Sequence, residues 1–267
     1  MLKDITLGQY FPGDTFVHRL DPRVKLICVI LYIIALFSAK YFVTYGIMIL
    51  FLIVAVSVSK VRLTSILKGL KPIFIIVIIT AFLNLFYTPG DPLAKVWIFT
   101  ITRQGIRAAF FMVIRIIMLI IGTFLLTYTT SPIALTDGLE SLLSPLKKIK
   151  APIHELSMMM SIALRFIPTL IEETDKITSA QKARGADFET GNLIKRAKAL
   201  LPLLVPLFIS AFRRADELAV AMECRCYHGG EGRTRMHQLK FASSDYVTIV
   251  SGLILCAGVI VLGRFGW

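Results

Sequence analysis

The sequence predicts an all-α, polytopic membrane protein with about five transmembrane helices and long helices lying at the cytoplasmic face. Three observations lead there. Hydrophobic residues make up 56% of the 267 positions and charged residues only 18%, against about a quarter charged in an ordinary soluble domain. The apolar residues are gathered into runs that approach the roughly 20 residues a hydrocarbon core requires. Backbone that faces lipid must satisfy its hydrogen bonds internally, so each run is expected to be a helix.

The elements follow in order. Met1 to Lys25 is polar and has no apolar core of its own, so no cleavable signal peptide is expected and the first span also acts as the insertion signal. That span is expected over Val24–Ala39, and a second over Tyr41–Val58 after a break at Lys40. The third is expected over Pro72–Tyr87, the fourth over Ile106–Tyr128 and the last over Tyr246–Leu262. Lys3, Arg19, Arg23 and Lys25 precede the first span, and Lys60, Arg62, Lys68 and Lys71 separate the second from the third. The first hairpin carries only Lys40, and the Thr88–Gly105 loop sets Lys95 and Arg103 against Asp91. The Lys147–Lys240 region holds about half of all Lys and Arg. By the positive-inside rule, a cytoplasmic N-terminus and an outside C-terminus satisfy every loop. The expected organisation is a four-span membrane domain over 1–128, a cytoplasmic helical region over 129–245 and a final span within 246–267, all in the plasma membrane.

Two more apolar stretches leave open whether either crosses the bilayer. Leu156–Ile171 contains Arg165 and Pro168 and is flanked by Glu155 and Glu172; Leu200–Phe212 is short and contains Pro202 and Pro206. Both are read as helices at or under the membrane surface, apolar on one side, with Pro202 and Pro206 starting or kinking the second.

The formal charge of +13 does not indicate nucleic acid, because no reading module accompanies it; anionic lipid headgroups are its natural neighbours. Cys28 and Cys256 lie in apolar runs and act as small hydrophobes. Cys224 and Cys226 fall in the basic, cytoplasmic region, where a disulfide is not expected. With His228 and His237 they lack the spacing of a standard zinc module, so no metal site is expected. The chain has no Gly-x4-Gly-Lys-Ser/Thr loop, so ATP must be hydrolysed elsewhere. It has no Ser-His-Asp arrangement, His-Glu-x-x-His or paired intramembrane carboxylates, so no catalytic residues are assigned.

Two polar residues lie inside the spans. Arg115 either snorkels to the interface, bonds carbonyls of a neighbouring helix or serves transport directly. Asn84 suits an interhelical hydrogen bond.

The charged region also repeats itself. One copy runs Asp175-Lys-Ile-Thr-Ser-Ala-Gln-Lys-Ala183-Arg184-Gly185, and the other runs Asp216-Glu-Leu-Ala-Val-Ala-Met-Glu-Cys224-Arg225-Cys226. Taken as helices, each has acids early (Glu172, Glu173 and Asp175; Asp216 and Glu217) and an arginine late, the order that suits the macrodipole. Gly185 supplies a left-handed residue to close the first. Gly229-Gly230 is expected to stop the second. An arginine at a helix tip can grip a carboxylate bidentately, and two equal tips suit a partner that is itself a pair. As bland surface helices, both would simply complement their dipoles.

The opening run Gly8-Gln-Tyr-Phe-Pro-Gly-Asp14, followed by His18-Arg-Leu-Asp-Pro-Arg-Val-Lys25, resembles the transmembrane T component of energy-coupling factor (ECF) transporters of vitamins and micronutrients. Ala183-Arg184-Gly185, and the second copy at Arg225, match that family's twin Ala-Arg-Gly signature. The resemblance spans essentially the whole chain. The second copy departs from it, keeping only the arginine between Cys224 and Cys226, which puts in doubt any close packing that needs a small residue or glycine backbone.

The resemblance implies a non-catalytic coupling subunit of an importer. The implied partners are two cytoplasmic ATP-binding cassette subunits, which hold ATP and Mg, and a membrane-embedded, substrate-binding S component. It implies no cofactor in this chain. By the same analogy Arg184 enters a groove of one ATPase and Arg225 a groove of the other. Met158, Met159, Met160, Leu204 and Phe208 are candidates to meet the S component, since methionine-rich surfaces accept several partners; packing against the chain's own spans is the other reading. An autonomous carrier or lipid-surface scaffold is the alternative function.

Overall fold

The computed structural model describes residues 10–96, 99–149, 152–186, 188, 192–229 and 239–265. In chain order the helices are α1 (Phe16–Arg19), α2 (Pro22–Ser38), α3 (Phe42–Ser59), α4 (Leu63–Leu70), α5 (Phe74–Tyr87), α6 (Arg103–Thr129), α7 (Pro132–Leu143), α8 (Ile153–Ala183), α9 (Leu193–Glu223) and α10 (Ser243–Phe265). Short 3-10 helices over Lys71–Ile73 and Ser144–Ile149 follow α4 and α7. The loop expected over Thr88–Gly105 folds as a small antiparallel hairpin of β1 (Pro92–Val96) and β2 (Phe99–Thr102), with Lys95 opposite Thr100 and an irregularity between Pro92 and Ala94. Apart from this hairpin, the fold is the all-α, polytopic one the sequence predicts. Glu140–Gln238 forms one compact unit; Gly8–Leu139 with Leu239–Trp267 forms the other.

Among the described residues, four helical stretches are long and apolar enough to cross a bilayer: Phe42–Ser59, Leu63–Tyr87, Arg103–Thr129 and Ser243–Arg264. The third expected span is thus longer than its sequence limits, because α4, the 3-10 turn and α5 run on as one helical stretch. The first expected span, α2, has 17 residues and is about 25 Å long at 1.5 Å per residue, the short end of what a span needs.

Helix α2 begins as its sequence dictates. Pro22 needs no N–H donor at the first helical position, and the Asp21 carboxylate accepts the Arg23 N–H at 2.9 Å. It then packs chiefly along α10 and α6. The core of the membrane unit joins Tyr32, Ala35, Leu36 and Ala39 of α2 and its end to Tyr45, Met48 and Leu52 of α3, Met118 of α6, and Cys256 and Val259 of α10. Lipid tails are as apolar as these side chains, so close fit rather than hydrophobic expulsion holds such helices together. The Tyr32 ring shows that fit. It lies against Gly122, where an added Cβ would come within 2.6 Å of the ring, and its hydroxyl donates to the Met118 carbonyl at 3.0 Å.

The pairings fix which helix ends share a side. Lys25 of α2 reaches Thr129 at the end of α6, Thr15 beside α1 reaches Ser59 at the end of α3, and Asp21 meets Asp245 at the start of α10. At the opposite end, Gly263 of α10 approaches the Ser38 carbonyl. α2 and α10 therefore run one way through the bundle, and α3 and α6 the other.

Candidate functional site

In the unit formed by residues 140–238, α8 and α9 are each single helices of 31 residues. This corrects two local expectations. Glu172, Glu173 and Asp175 lie about five turns inside α8 rather than at an N-terminus, and Asp216 and Glu217 lie equally deep in α9. Their charges are too far from the first turn to serve the macrodipole. Pro202 and Pro206 sit inside α9; of the two alternatives they do not start it, which leaves a kink as the remaining one.

The second helix also stops earlier than expected. α9 ends at Glu223, before Gly229, and Cys226 supplies the left-handed residue; Gly230 lies outside the described residues. The two arginine ends nevertheless close with the same backbone bonds. At the first, Gly185 (φ +88°) donates to the Lys182 carbonyl at 3.0 Å, and Ala186 to Gln181 at 3.0 Å. At the second, Cys226 (φ +54°) donates to Glu223 at 2.8 Å, and Tyr227 to Met222 at 3.1 Å. This is a Schellman closure in both cases, satisfying carbonyls that would otherwise be orphaned. Loss of the Ala-Arg-Gly sequence in the second copy has not cost it the backbone. Ala183, Arg184 and Gly185 are exposed, as is Arg225. An added Cβ at Gly185 would meet open space, so that position is restricted by its φ alone.

The acids find other employment. Glu173 accepts from Arg214 Nη2 at 2.6 Å, and Arg214 Nε reaches Ser210 Oγ at 3.5 Å. The Ser210 hydroxyl, with Arg214 beside it, holds the Glu173 carboxyl below its ordinary value of 4.5. Gln181 of α8 approaches the Pro202 carbonyl of α9 at 3.5 Å, so later residues of α8 meet earlier residues of α9 and the pair is antiparallel. The same interval of 41 separates Asp175 from Asp216, Arg184 from Arg225, and Glu173 from Arg214. The ion pair therefore joins equivalent positions of the repeat, as a contact on a two-fold axis does. Each arginine tip lies eleven residues beyond it, or about 16 Å along its own helix, in opposite directions.

The apolar candidates share this unit. Met158 is half-buried; Met159, Met160, Leu204 and Phe208 are exposed. On α9 the exposed stripe continues through Leu201, Val205, Ile209 and Phe212, a helical spacing. Leu203 is buried.

In the membrane unit, Arg115 does not stand unpaired. Its Nη2 donates to the Ala39 carbonyl at 3.1 Å and its Nε to the Tyr45 hydroxyl at 3.0 Å, with the guanidinium over the Phe37 and Tyr45 rings. Of the alternatives open at the sequence level, carbonyl bonding is the one found: the arginine caps the end of α2. Asn84 bonds within its own helix, donating to the Thr80 carbonyl at 2.9 Å, which corrects the expectation of an interhelical bond.

Sequence reasoning missed a buried polar latch at the start of α2. Asp245 is 2% exposed and accepts two backbone N–H groups, from Asp21 at 3.0 Å and from Ala242 at 2.7 Å. Arg23 Nη2 donates to the Leu239 carbonyl at 2.7 Å, and its guanidinium lies over Phe241. Lys25 Nζ donates to the carbonyls of His18 at 3.2 Å and Thr129 at 2.8 Å. The His18-to-Lys25 run thus ties the starts of α2 and α10 to the end of α6. The signal was present: Ser243-Ser-Asp245 before an apolar run is a helix-start pattern.

Among the described residues no three His, Cys, Asp or Glu side chains group to hold a metal ion. Cys224 and Cys226 are exposed free thiols, and His237 lies outside the described residues.

The fold and these two assemblies define a polytopic helical membrane protein that carries a paired-arginine helical hairpin. A model of the family described as cobalt transport protein (CbiQ) matches residues 13–237. Energy-coupling factor transporter transmembrane protein EcfT of Clostridium kluyveri is 57% identical, over 100% of this chain and 99% of that protein. The proteins of the same name from Acidaminococcus fermentans and Bacillus subtilis are 51% and 50% identical. These matches cover 100% and 96% of this chain, and 98% and 97% of the relatives. The chain belongs to the family of transmembrane proteins of energy-coupling factor transporters.

Proposed function

We propose that this chain is the non-catalytic coupling subunit of its transporter, joining two ATP-binding cassette subunits to a substrate-binding S component. Arg184 docks in a groove of one ATPase and Arg225 in the equivalent groove of the other. The observation that carries this reading is the duplicated helix closure. Two exposed arginines leave helices with the same backbone geometry and lie at equal distances on either side of the Glu173–Arg214 contact. Two like tips fit a partner made of two like halves, and helix-in-groove binding needs an anchor at a defined place.

ATP and Mg belong to the partner subunits. When the ATPase pair closes on nucleotide, the tips move and the α8–α9 pair carries the displacement as a rigid body. The exposed face around Met159, Met160, Leu204 and Phe208 passes it to the S component. The basic loops and the start of α2 lie on the cytoplasmic side.

Affinity purification of the tagged chain from native membranes in mild detergent, compared with Arg184→Ala, Arg225→Ala and the double variant, tests this. Each single change is expected to weaken ATPase association by about 2–5 kcal/mol, and the double variant to lose both ATPases and uptake. A double variant that retains two ATPases and normal uptake refutes the docking role. A chain that purifies alone and is active alone would favour the autonomous carrier.

A further inference from the structure

A cleft of about 260 Å³ opens in the membrane unit among α1, α2, α3, α6 and α10. Its walls are almost wholly apolar: Val29 and Tyr32 of α2, Leu52 and Ala55 of α3, and Leu126 of α6. The charged Lys25 stands at one end beside Thr129, and Thr248 and Ser251 of α10 add the other small polar groups. Phe16, Val58 and Val247, also in its lining, are exposed. Val58 and Val247 belong to bilayer-length helices, so what stands outside the mouth is lipid, not water.

Away from Lys25 and the Thr129, Thr248 and Ser251 hydroxyls, the walls offer no polar partners, and ordered water needs two to four. Left empty, its walls would forfeit their packing contacts, a loss that grows with the volume. The bilayer offers one abundant occupant of the right chemistry. Lys25 adds a hydrogen-bond anchor: two of its three N–H donors go to the His18 and Thr129 carbonyls, the third has no hydrogen-bond partner among the described residues, and the Asp21 and Asp245 carboxylates lie near its charge. Oxygen acceptors at the glycerol and phosphate of a phospholipid meet that need.

We propose that this cleft seats one acyl chain of a bilayer phospholipid, its tail beside Tyr32 and Leu52 and its ester and phosphate oxygens beside Lys25. The lipid is a structural part of the bundle and fills the space between α2, α3, α6 and α10.

The test is photolabelling of the full chain in vesicles containing phosphatidylglycerol with a diazirine midway along one acyl chain, with labelled peptides mapped by mass spectrometry. Labelling is expected to concentrate on residues 28–32, 51–58 and 125–126, and to persist after detergent extraction and washing. Ala55→Phe, which fills the cleft, is expected to lower it at least about tenfold, equivalent to ~1.4 kcal/mol. Val58→Trp at the rim gives the same expectation should the first variant fold poorly. Labelling no greater there than at the lipid-facing Ile75, Ile78 and Phe82 of α5, or undiminished in a folded filled variant, would overturn the proposal.

Discussion

Replacing Asp245 with alanine tests the latch that ties α10 to α2. The carboxylate is 2% exposed and accepts two backbone N–H groups, at 3.0 Å from Asp21 and 2.7 Å from Ala242. Alanine strands both donors, each at a cost of about 1–3 kcal/mol, and removes a negative charge near buried Lys25. The expected loss is on the order of 3–5 kcal/mol. For a chain of this size that lowers the melting midpoint by at least ~6 °C, read by far-ultraviolet circular dichroism of the full chain in mild detergent. Asp245→Asn keeps one acceptor oxygen and should lose roughly half as much. An alanine variant that melts within ~2 °C of the parent would refute the reasoning, because the two N–H groups would then have found other partners. An asparagine variant as damaged as alanine would assign the effect to the charge.

Cys226→Gly should stabilise the end of α9 by about 0.5–1 kcal/mol, since the left-handed conformation costs a non-glycine residue ~1–2 kcal/mol and glycine's own entropy offsets part of the gain; slower amide exchange at Tyr227 is the readout. Arg115→Met should cost about 2–3 kcal/mol through the stranded Ala39 carbonyl and Tyr45 hydroxyl, measured as a lower melting midpoint with no change in ATPase association. The Glu173–Arg214 pair should hold at neutral pH and weaken as the pH falls through values below 4.5, because the folded state keeps that carboxyl ionised more readily than the unfolded chain does. Spin-label distances across α8 and α9 should broaden there, and Glu173→Gln should abolish the transition.

The bundle was legible in the sequence because lipid leaves a chain few choices: the five apolar runs became helices close to their expected limits, except that the third begins earlier, at Leu63. Helix closure at Gly185 was legible for a similar reason, since glycine advertises a left-handed residue. Closure at Cys226 was not, because cysteine carries no such signal and the neighbouring Gly229-Gly230 pair drew the expected boundary downstream. The early acids misled for a physical reason. Glu172, Glu173 and Asp175 look like a helix start when charge marks the boundary, yet the helix begins at Ile153 and Glu173 faces a partner 41 residues away in sequence. No local pattern announces such a partner. The role of Asp245 was not legible, because its bond from Asp21 depends on a packing between chain ends that periodicity does not encode.

The Glu173–Arg214 contact also carries information about identity. In a repeat whose two copies were fully alike, α8 would pair as readily with α8 of a second molecule as with α9 of its own. Here the central position holds opposite signs on the two copies. An α8–α8 pairing would set Glu173 against Glu173, an α9–α9 pairing would set Arg214 against Arg214, and like charges in contact are strongly disfavoured. Opposite signs at the point of pseudo-symmetry thus favour pairing of the two copies within a single molecule over pairing of like copies between molecules.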